Sequence, residues 1–204
     1  MSDYENQRSR AVSPVLRTKD AVVDEQGTAV IPAGTREIFD MAFQENPQMI
    51  RVVLPDSVRK VGSRAFAGCE NLREVHLNDG LEILEGNVFN GCTRLEELVL
   101  PSSLRQVHAY AFNHTSFRAP VYDRSGTILY HYPEQAPVTF FAVPQGVQRL
   151  AHGAFLGCAA LEEVRLPEGL EVIEREAFVN TAIRSITIPS SVKAVEGFAF
   201  WNCR

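Results

Sequence analysis

The sequence lacks the features that mark several broad classes of protein. No apolar run approaches the roughly 20 residues that a membrane-spanning helix needs. Lys and Arg total 20 against 25 Asp and Glu, which gives a formal net charge of -5, and there is no basic cluster. Nucleic-acid binding requires a concentrated Lys/Arg surface, so this composition argues against it.

The N-terminus lacks a secretion signal. Residues 1–10 are polar and contain no apolar core of the kind that such a signal requires. Either the protein stays inside the cell or the chain is missing its signal, and the residues do not separate the two.

Motifs of common enzyme classes are also missing. The chain contains no Gly-x-Ser-x-Gly, His-Glu-x-x-His or Gly-x-x-x-x-Gly-Lys-Ser/Thr sequence. The adjacent glutamates at 96–97 and 162–163 would point to opposite sides of a strand, which does not suit an acid/base pair. The five histidines fall at variable positions that we expect to face solvent. The sequence therefore predicts a protein that is not an enzyme.

Cysteine is scarce, and no Cys-x-x-Cys pair occurs. Each cysteine follows a phenylalanine by three residues, and the spacings of 23, 66 and 45 match no metal motif. This placement favours small buried thiols, and we expect no metal and no cofactor. Only Cys69 and Cys92 are placed for a disulfide, which the sequence leaves open. The four residues are Cys69, Cys92, Cys158 and Cys203.

What the sequence does contain is phenylalanine at a fixed period. Successive intervals of 23, 23, 23, 43, 23 and 22 residues separate Phe43, Phe66, Phe89, Phe112, Phe155, Phe178 and Phe200. Proline lies eleven residues before six of these seven. Apolar pairs three residues apart recur between the phenylalanines, as at Val58 and Val61. Self-similarity at such a period indicates a solenoid.

Each repeat is too small to bury its own apolar face, so stacked copies must share one core. The alternation in Leu72–Leu77 is typical of a short strand, and parallel stacking would place neighbouring strands about 4.8 Å apart. The proline after each such run cannot donate a ladder hydrogen bond and ends the strand. We therefore predict a β-rich solenoid of about seven coils of about 23 residues, with a parallel strand ladder on one face and little or no regular α-helix.

The repeat resembles the BspA-type leucine-rich repeat family. Its pattern is apolar-Pro-x-Gly/Ser-Val/Leu-x-x-Ile/Val-x-x-x-Ala-Phe-x-Gly-Cys-x-x-Leu, which residues 55–77 and 144–166 match almost throughout. The resemblance covers roughly residues 30–204. It implies a curved solenoid lined by strands. Because members are commonly bacterial surface proteins, several of them linked to adhesion, it also implies a surface or extracellular location and a host or matrix protein as partner.

Segments outside the regular pattern set the predicted boundaries. Residues 1–19 are expected to be a mobile tail, 20–31 a capping hairpin, and 32–204 the solenoid. Residues 123–136 are predicted to form an irregular, hairpin-like insertion. The chain ends within a repeat, which predicts an exposed apolar end and either end-to-end self-association or a longer native protein. The residues of that end are Phe198, Phe200 and Trp201.

The strand surface is the candidate binding site. Residues beside the inward-facing Val75 and Leu77 should face outward and stack into two columns. One column comprises Val53, His76, Val99, Val121, Ala142, Arg165 and Thr187. The other comprises Arg51, Glu74, Glu97, Ala119, Phe140, Glu163 and Ser185.

The centre of this surface is apolar, and exposed apolar patches often mark partner sites. The predicted partner-binding residues are Val99, Val121, Phe140, Ala142, His76 and Arg165, with Tyr130 and Tyr132 of the insertion. The alternative interpretation is that these residues only stabilise the strands.

Three functions fit these observations. The first is a non-catalytic protein-interaction module, with cell-surface adhesion implied by the resemblance. The second is a carbohydrate-binding module that uses Tyr122, Tyr130 and Tyr132 as stacking platforms. The third is a structural spacer in a larger protein.

Overall fold

The computed structural model describes residues 15–108 and 110–204. These residues form a β-solenoid of about eight turns with parallel strand ladders, which confirms the predicted fold. One 3-10 turn, Thr18–Asp20, is the only helical segment in the described ranges. The strands are β1 (Val15–Leu16), β2 (Val22–Val23), β3 (Ala29–Val30), β4 (Glu37–Ile38), β5 (Arg51–Val53), β6 (Lys60–Val61), β7 (Glu74–His76), β8 (Ile83–Leu84), β9 (Gln106–Val107), β10 (Val121–Tyr122), β11 (Ile128–His131), β12 (Phe140–Ala142), β13 (Arg149–Leu150), β14 (Glu163–Arg165), β15 (Val172–Ile173) and β16 (Ala194–Val195).

Two sets of strands run along the solenoid. The predicted set, from the Leu-x-x-apolar-x-Leu run, forms the parallel pairs β5–β7 and β12–β14. A second set uses the apolar pairs and forms two five-stranded sheets, β1-β4-β6-β8-β9 and β10-β11-β13-β15-β16. All pairs in these sheets are parallel except β10–β11. Most coils therefore carry a second, two-residue strand that the sequence analysis did not identify.

The bend around each repeat phenylalanine uses a left-handed backbone on both sides. The residue two before the ring and the residue two after it have positive φ, as at Arg64 (55°) and Gly68 (68°) around Phe66. Glycine suits the positive φ of Gly68, and a Cβ there would lie 2.8 Å from Glu45 Cγ, so the Glu45 side chain would have to move. The bend turns the chain back and leaves the phenylalanine pointing inward.

The phenylalanines form the core in two stacks. In the first, ring centroids of Phe43, Phe66, Phe89 and Phe112 are 5.5, 5.6 and 6.4 Å apart. In the second, those of Tyr132, Phe155, Phe178 and Phe200 are 5.2, 4.9 and 5.1 Å apart. Buried apolar side chains divide into two clusters in the same way, up to Val121 and from Leu129 onward.

The cysteines are free thiols, and three of them are buried. Each lies against the carbonyl oxygen of the ladder residue in the preceding coil. Cys69 Sγ is 3.1 Å from Phe43 O, and Cys92 Sγ is 3.2 Å from Phe66 O. Burial raises the pKa of the Cys69 thiol to about 11 and that of Cys158 to about 12, so the thiolate is strongly disfavoured.

The predicted insertion forms one shortened coil. Strands β10 and β11 pair as an antiparallel hairpin, and the chain then places Tyr132 at the ladder position of phenylalanine. The Tyr132 N–H donates to Ala154 O, as the Phe155 N–H donates to Ala177 O in the next coil. Only 20 residues separate Phe112 from Tyr132, which shortens this coil and breaks the stack.

The N-terminal segment differs from the prediction. Most of the predicted tail, residues 1–14, lies outside the described residues. Val15 and Leu16, which were assigned to that tail, instead form β1 and pair in parallel with β4. Leu16 is buried because it occupies the ladder position of Ile38 and Val61 in the following coils.

Strands β2 and β3 form an antiparallel pair at the segment where a capping hairpin was predicted. Gly27 O at its turn accepts the N–H groups of Ile50 and Arg51. The hairpin is thereby fixed to the start of β5.

Candidate interaction surface

The strands β5, β7, β12 and β14 carry the outward-facing columns. Their register pairs Arg51 with Glu74 and Val53 with His76, and then Phe140 with Glu163 and Ala142 with Arg165. We call this surface the strand face. It comprises Arg51, Val53, Glu74, His76, Glu97, Val99, Phe140, Ala142, Glu163 and Arg165.

Apolar side chains on the strand face are open to solvent. Val99 is 74% exposed, Val53 46% and Phe140 43%. The inward neighbour Val52 is fully buried, so the period-two alternation of the strand is obeyed here. These three residues therefore do not serve the core and are available for contact.

Charged groups on the strand face are arranged around the apolar residues. Arg51 Nε lies 2.6 Å from Glu74 Oε2, and His76 Nε2 contacts the other oxygen of the same carboxylate. The His76 ring and then Arg51 lower the pKa of Glu74. The Arg165 guanidinium lies over the Phe140 ring, 5.4 Å from its centroid, which partly covers that ring while leaving its edge open.

Two predicted site residues are buried, and their assignment to the surface was wrong. Val121 is 4% exposed because it pairs with β11 in the hairpin and packs on the first cluster. Tyr132 is 5% exposed because it replaces a ladder phenylalanine.

The other two tyrosines of the predicted carbohydrate site are half-buried. Tyr130 packs on the first cluster and Tyr122 on the second. Burial raises the pKa of each to about 12. Together with the burial of Tyr132, this means that these three tyrosines do not form a row of open rings on which a sugar could stack.

The strand ladder of the strand face is interrupted between β7 and residues 95–99. Within the described chain, no backbone hydrogen bond joins residues 73–77 to residues 95–99. Bonding resumes one coil later, where the Ser116 N–H donates to Leu95 O. Residues 95–100 fit the strand pattern in sequence, so the interrupted ladder is a feature that the sequence did not reveal.

Three cavities lie at this interruption in the ladder, and Arg73 lines all of them. One of about 740 Å³ extends from Arg73 and Arg94 to the turn of the β2–β3 hairpin. A second of about 370 Å³ lies between Arg73, Arg94 and Glu96. The third, of about 300 Å³, runs between β7 and residues 97–101 and ends at Arg124. Neither Arg73 nor Arg94 was identified from the sequence as a site residue.

No group of three or more His, Cys, Asp or Glu in residues 15–108 and 110–204 is placed to hold a metal ion. No helix within these ranges has the length and apolar content needed to cross a bilayer.

Comparison with known families gives one match, which covers most of the described solenoid. The model described as "BspA type Leucine rich repeat region" matches residues 26–133 and 129–204, in six copies. A search of the curated proteins finds no match.

Several solved structures share the fold. The pneumococcal vaccine antigen PcpA is 24% identical with a TM-score of 0.57, over 80% of this chain and 50% of that one. A leucine-rich cell surface protein from Faecalibacterium prausnitzii is 24% identical with a TM-score of 0.50, over 90% and 50%. The T. pallidum leucine-rich repeat protein is 25% identical with a TM-score of 0.51, over 86% and 71%. The chain thus spans half the length of the first two.

Proposed function

Because the chain belongs to the BspA-type leucine-rich repeat family, we propose that it is a non-catalytic module that binds a protein partner through the strand face. The observation that carries the proposal is the set of exposed apolar residues Val53, Val99 and Phe140. Val53 and Phe140 lie on β5 and β12, Val99 lies on the segment after β7, and the interior beneath them is already filled by buried apolar side chains. Such a surface can bury apolar area against a partner without rearranging the solenoid.

The polar residues around this patch suit a protein partner. His76 and Arg165 lie beside Val99 and Phe140 and present donors at the edge of the apolar area. An apolar centre with a polar rim is the usual anatomy of a protein interface. Ala142, two residues after Phe140 on β12, is also exposed and adds a small apolar side chain to the same face.

The test is affinity capture with matched variants. Immobilised chain carrying Val99→Asp or Phe140→Asp is compared with unchanged chain in extracts and secreted fractions of the source organism and of its host. Met41→Asp, at a residue that is 49% exposed in the bend before Phe43 and outside the strand face, is the control. Proteins retained by the unchanged chain and the control, and lost from both strand-face variants, support the proposal. A partner retained equally by all four proteins would contradict it.

The physiological role that we propose is adhesion at a bacterial surface, with a host or matrix protein as the partner. It is supported by family membership and by a related structure that is described as a leucine-rich cell surface protein. Protease treatment of intact cells, followed by mass spectrometry, tests the location. Peptides of this chain released before lysis would support adhesion, and peptides found only after lysis would refute it.

A second candidate function is self-association through the last coil. Phe198 and Trp201 are each 60% exposed, whereas Phe200 stacks on Phe178. Sedimentation of the unchanged chain and of Trp201→Ser at increasing concentration tests this. A concentration-dependent oligomer that the substitution removes supports self-association, and a monomer at all concentrations refutes it.

A further inference from the structure

Three cavities follow one another along the strand side of the first half of the solenoid, and Arg73 lines all three; together we call them the groove. The groove extends from the β2–β3 turn to Arg124 at the tip of the β10–β11 hairpin. Its stretch beside β7 follows residues 73–79, which at about 3.3 Å per residue corresponds to about 20 Å of extended chain. A groove of this length fits a peptide segment of about six residues.

The groove contains two arginines without partners. Arg73 and Arg94 are exposed, and in the described part of the chain neither forms an ion pair or a side-chain hydrogen bond. Neighbouring cations are engaged, since Arg118 Nη2 lies 2.7 Å from Glu96 and Arg124 Nη1 lies 2.9 Å from Asp79. The groove therefore offers two free guanidinium groups in a chain whose net charge is -5.

Most acids that line the groove are engaged within the chain. Ion pairs to Arg51, Arg124 and Arg118 occupy Glu74, Asp79 and Glu96. Asp24 Oδ1 accepts the backbone N–H groups of Gln26 at 2.9 Å and Thr28 at 2.8 Å, which holds this carboxylate in the hairpin turn. It is therefore not placed to neutralise Arg73 or Arg94. A carboxylate from outside can pair with these guanidinium groups in the bidentate geometry that arginine favours.

The walls of the groove offer peptide-like complementarity. Ile50, which is 46% exposed, and Val99 provide apolar contact at its two ends. Among the described strands, β7 pairs with β5 alone. The backbone N–H and C=O groups of Val75, on the edge of β7 away from β5, therefore face the groove. Apolar contact, free main-chain groups and two guanidinium groups together match an extended peptide that carries carboxylates.

We propose that this groove binds an extended acidic segment of a partner protein, with carboxylates of that segment paired to Arg73 and Arg94. The inference rests on the proposed function in that the ligand is a protein. A densely charged glycan fits less well, because its continuous negative charge would also face Glu25 and Glu97, whereas a peptide can place uncharged residues opposite them.

The experiment measures fluorescence polarisation of a labelled octapeptide of alternating glutamate and valine, titrated with the purified full chain. The matched peptide has glutamine in place of glutamate. The protein variants are Arg73→Gln with Arg94→Gln, and, as a control of equal charge, Arg36→Gln with Arg105→Gln. Both control arginines are exposed and lie outside the groove.

We expect saturable binding of the glutamate peptide that weakens about tenfold in the Arg73/Arg94 variant, since two partly exposed pairs are lost. The glutamine peptide should bind unchanged protein about tenfold more weakly, and the control variant should stay within about twofold of unchanged protein. No saturable binding, or an equal loss in the control variant, would overturn the inference. Tighter, Arg73-dependent binding of a heparin fragment would also overturn it in favour of a glycan.

Failure of this inference can be told apart from failure of the proposed function. Phe140 lies on the strand face but outside the groove. If a captured partner is lost from Phe140→Asp but retained by the Arg73/Arg94 variant, the result contradicts the groove proposal and leaves the proposed function standing. If Phe140→Asp and Val99→Asp both leave capture unchanged, the proposed site fails, while the peptide titration still decides on the groove.

Discussion

The two halves of the solenoid use one repeat but stack their rings differently. In the first half, the centroid spacing widens from 5.5 Å at Phe43–Phe66 to 6.4 Å at Phe89–Phe112. In the second half, it stays between 4.9 and 5.2 Å from Tyr132 to Phe200. The stacking loosens toward the shortened coil, so the ladder depends on a repeat length near 23 residues. At the 20-residue coil between Phe112 and Tyr132, the sheet and the core cluster of the first half end and those of the second half begin.

Side chains rather than a strand ladder hold the two halves together. His131 packs against Phe112 at 6.1 Å and Phe117 at 5.8 Å between ring centroids. The Tyr110 hydroxyl donates to Glu176 Oε2, three ladder positions further along. The residues at this junction, which we call the seam, are Tyr110, Phe112, Phe117, Val121, His131 and Tyr132. In repeat proteins, each coil is stabilised mainly by its neighbours, so a weak junction can divide the array into two cooperative units.

The largest expected effect comes from removing one ring from the middle of each stack. Phe66→Ala and Phe155→Ala each leave a cavity at a fully buried position, and we expect each to lower the free energy of unfolding by about 3–5 kcal/mol. Hydrogen exchange read by mass spectrometry should show lost protection mainly in the half that carries the substitution. Urea unfolding measures the total loss.

Leucine at the same positions provides the control for this prediction. Phe66→Leu and Phe155→Leu retain most of the buried apolar volume and should cost clearly less than alanine. Equal loss of protection in both halves after either alanine substitution would show that the solenoid unfolds as one unit. That result would contradict the division at the seam.

A smaller, pH-dependent effect is expected from His131. Burial lowers the pKa of His131 from 6.5 to about 4, because the charged ring is disfavoured between Phe112 and Phe117. Between pH 6.5 and 4, the unfolded chain therefore binds a proton that the folded chain does not, and stability falls as the pH falls through this window. At pH 5 the expected loss relative to pH 7 is about 2 kcal/mol from this group.

The check is urea unfolding of His131→Leu at pH 7 and pH 5 beside the unchanged chain. The substitution should reduce the difference between the two pH values by about 2 kcal/mol, since leucine does not titrate. His108→Gln, at a half-exposed ring, is the control and should keep nearly the full difference. An unchanged pH dependence in His131→Leu would show that other groups cause it.

The regular coils could be predicted from the sequence because each coil buries the same apolar positions against its neighbours. The phenylalanine period identified the stacked rings, and the fixed offset of the cysteines identified the buried thiols of Cys69, Cys92 and Cys158. The second strand set was missed because a two-residue strand such as Lys60–Val61 is too short to show an alternating pattern.

The irregular coil shows where sequence reasoning failed and which signal was available. Tyr132 lies 23 residues before Phe155, so the period counted backward from the second half places an aromatic residue on the ladder. The same period counted forward from Phe112 misses Tyr132, because only 20 residues separate the two. The same ambiguity put Val121 in the exposed column. Arg73 and Arg94 could not be identified, because whether an arginine is paired depends on which side chains reach it in the fold.

The smallest expected effect separates two polar contacts at or near the seam. Tyr110→Phe removes the hydroxyl that binds Glu176, and since Tyr110 is 37% exposed we expect a loss of about 1 kcal/mol in the free energy of unfolding. Asp79→Asn removes the ion pair with Arg124, whose side chains are 77% and 58% exposed, and should cost less than about 0.5 kcal/mol. Urea unfolding of both variants at low and high salt measures the two losses. If Asp79→Asn were the more costly change, and its cost vanished in salt, long-range charge rather than packing and hydrogen bonding would join the halves.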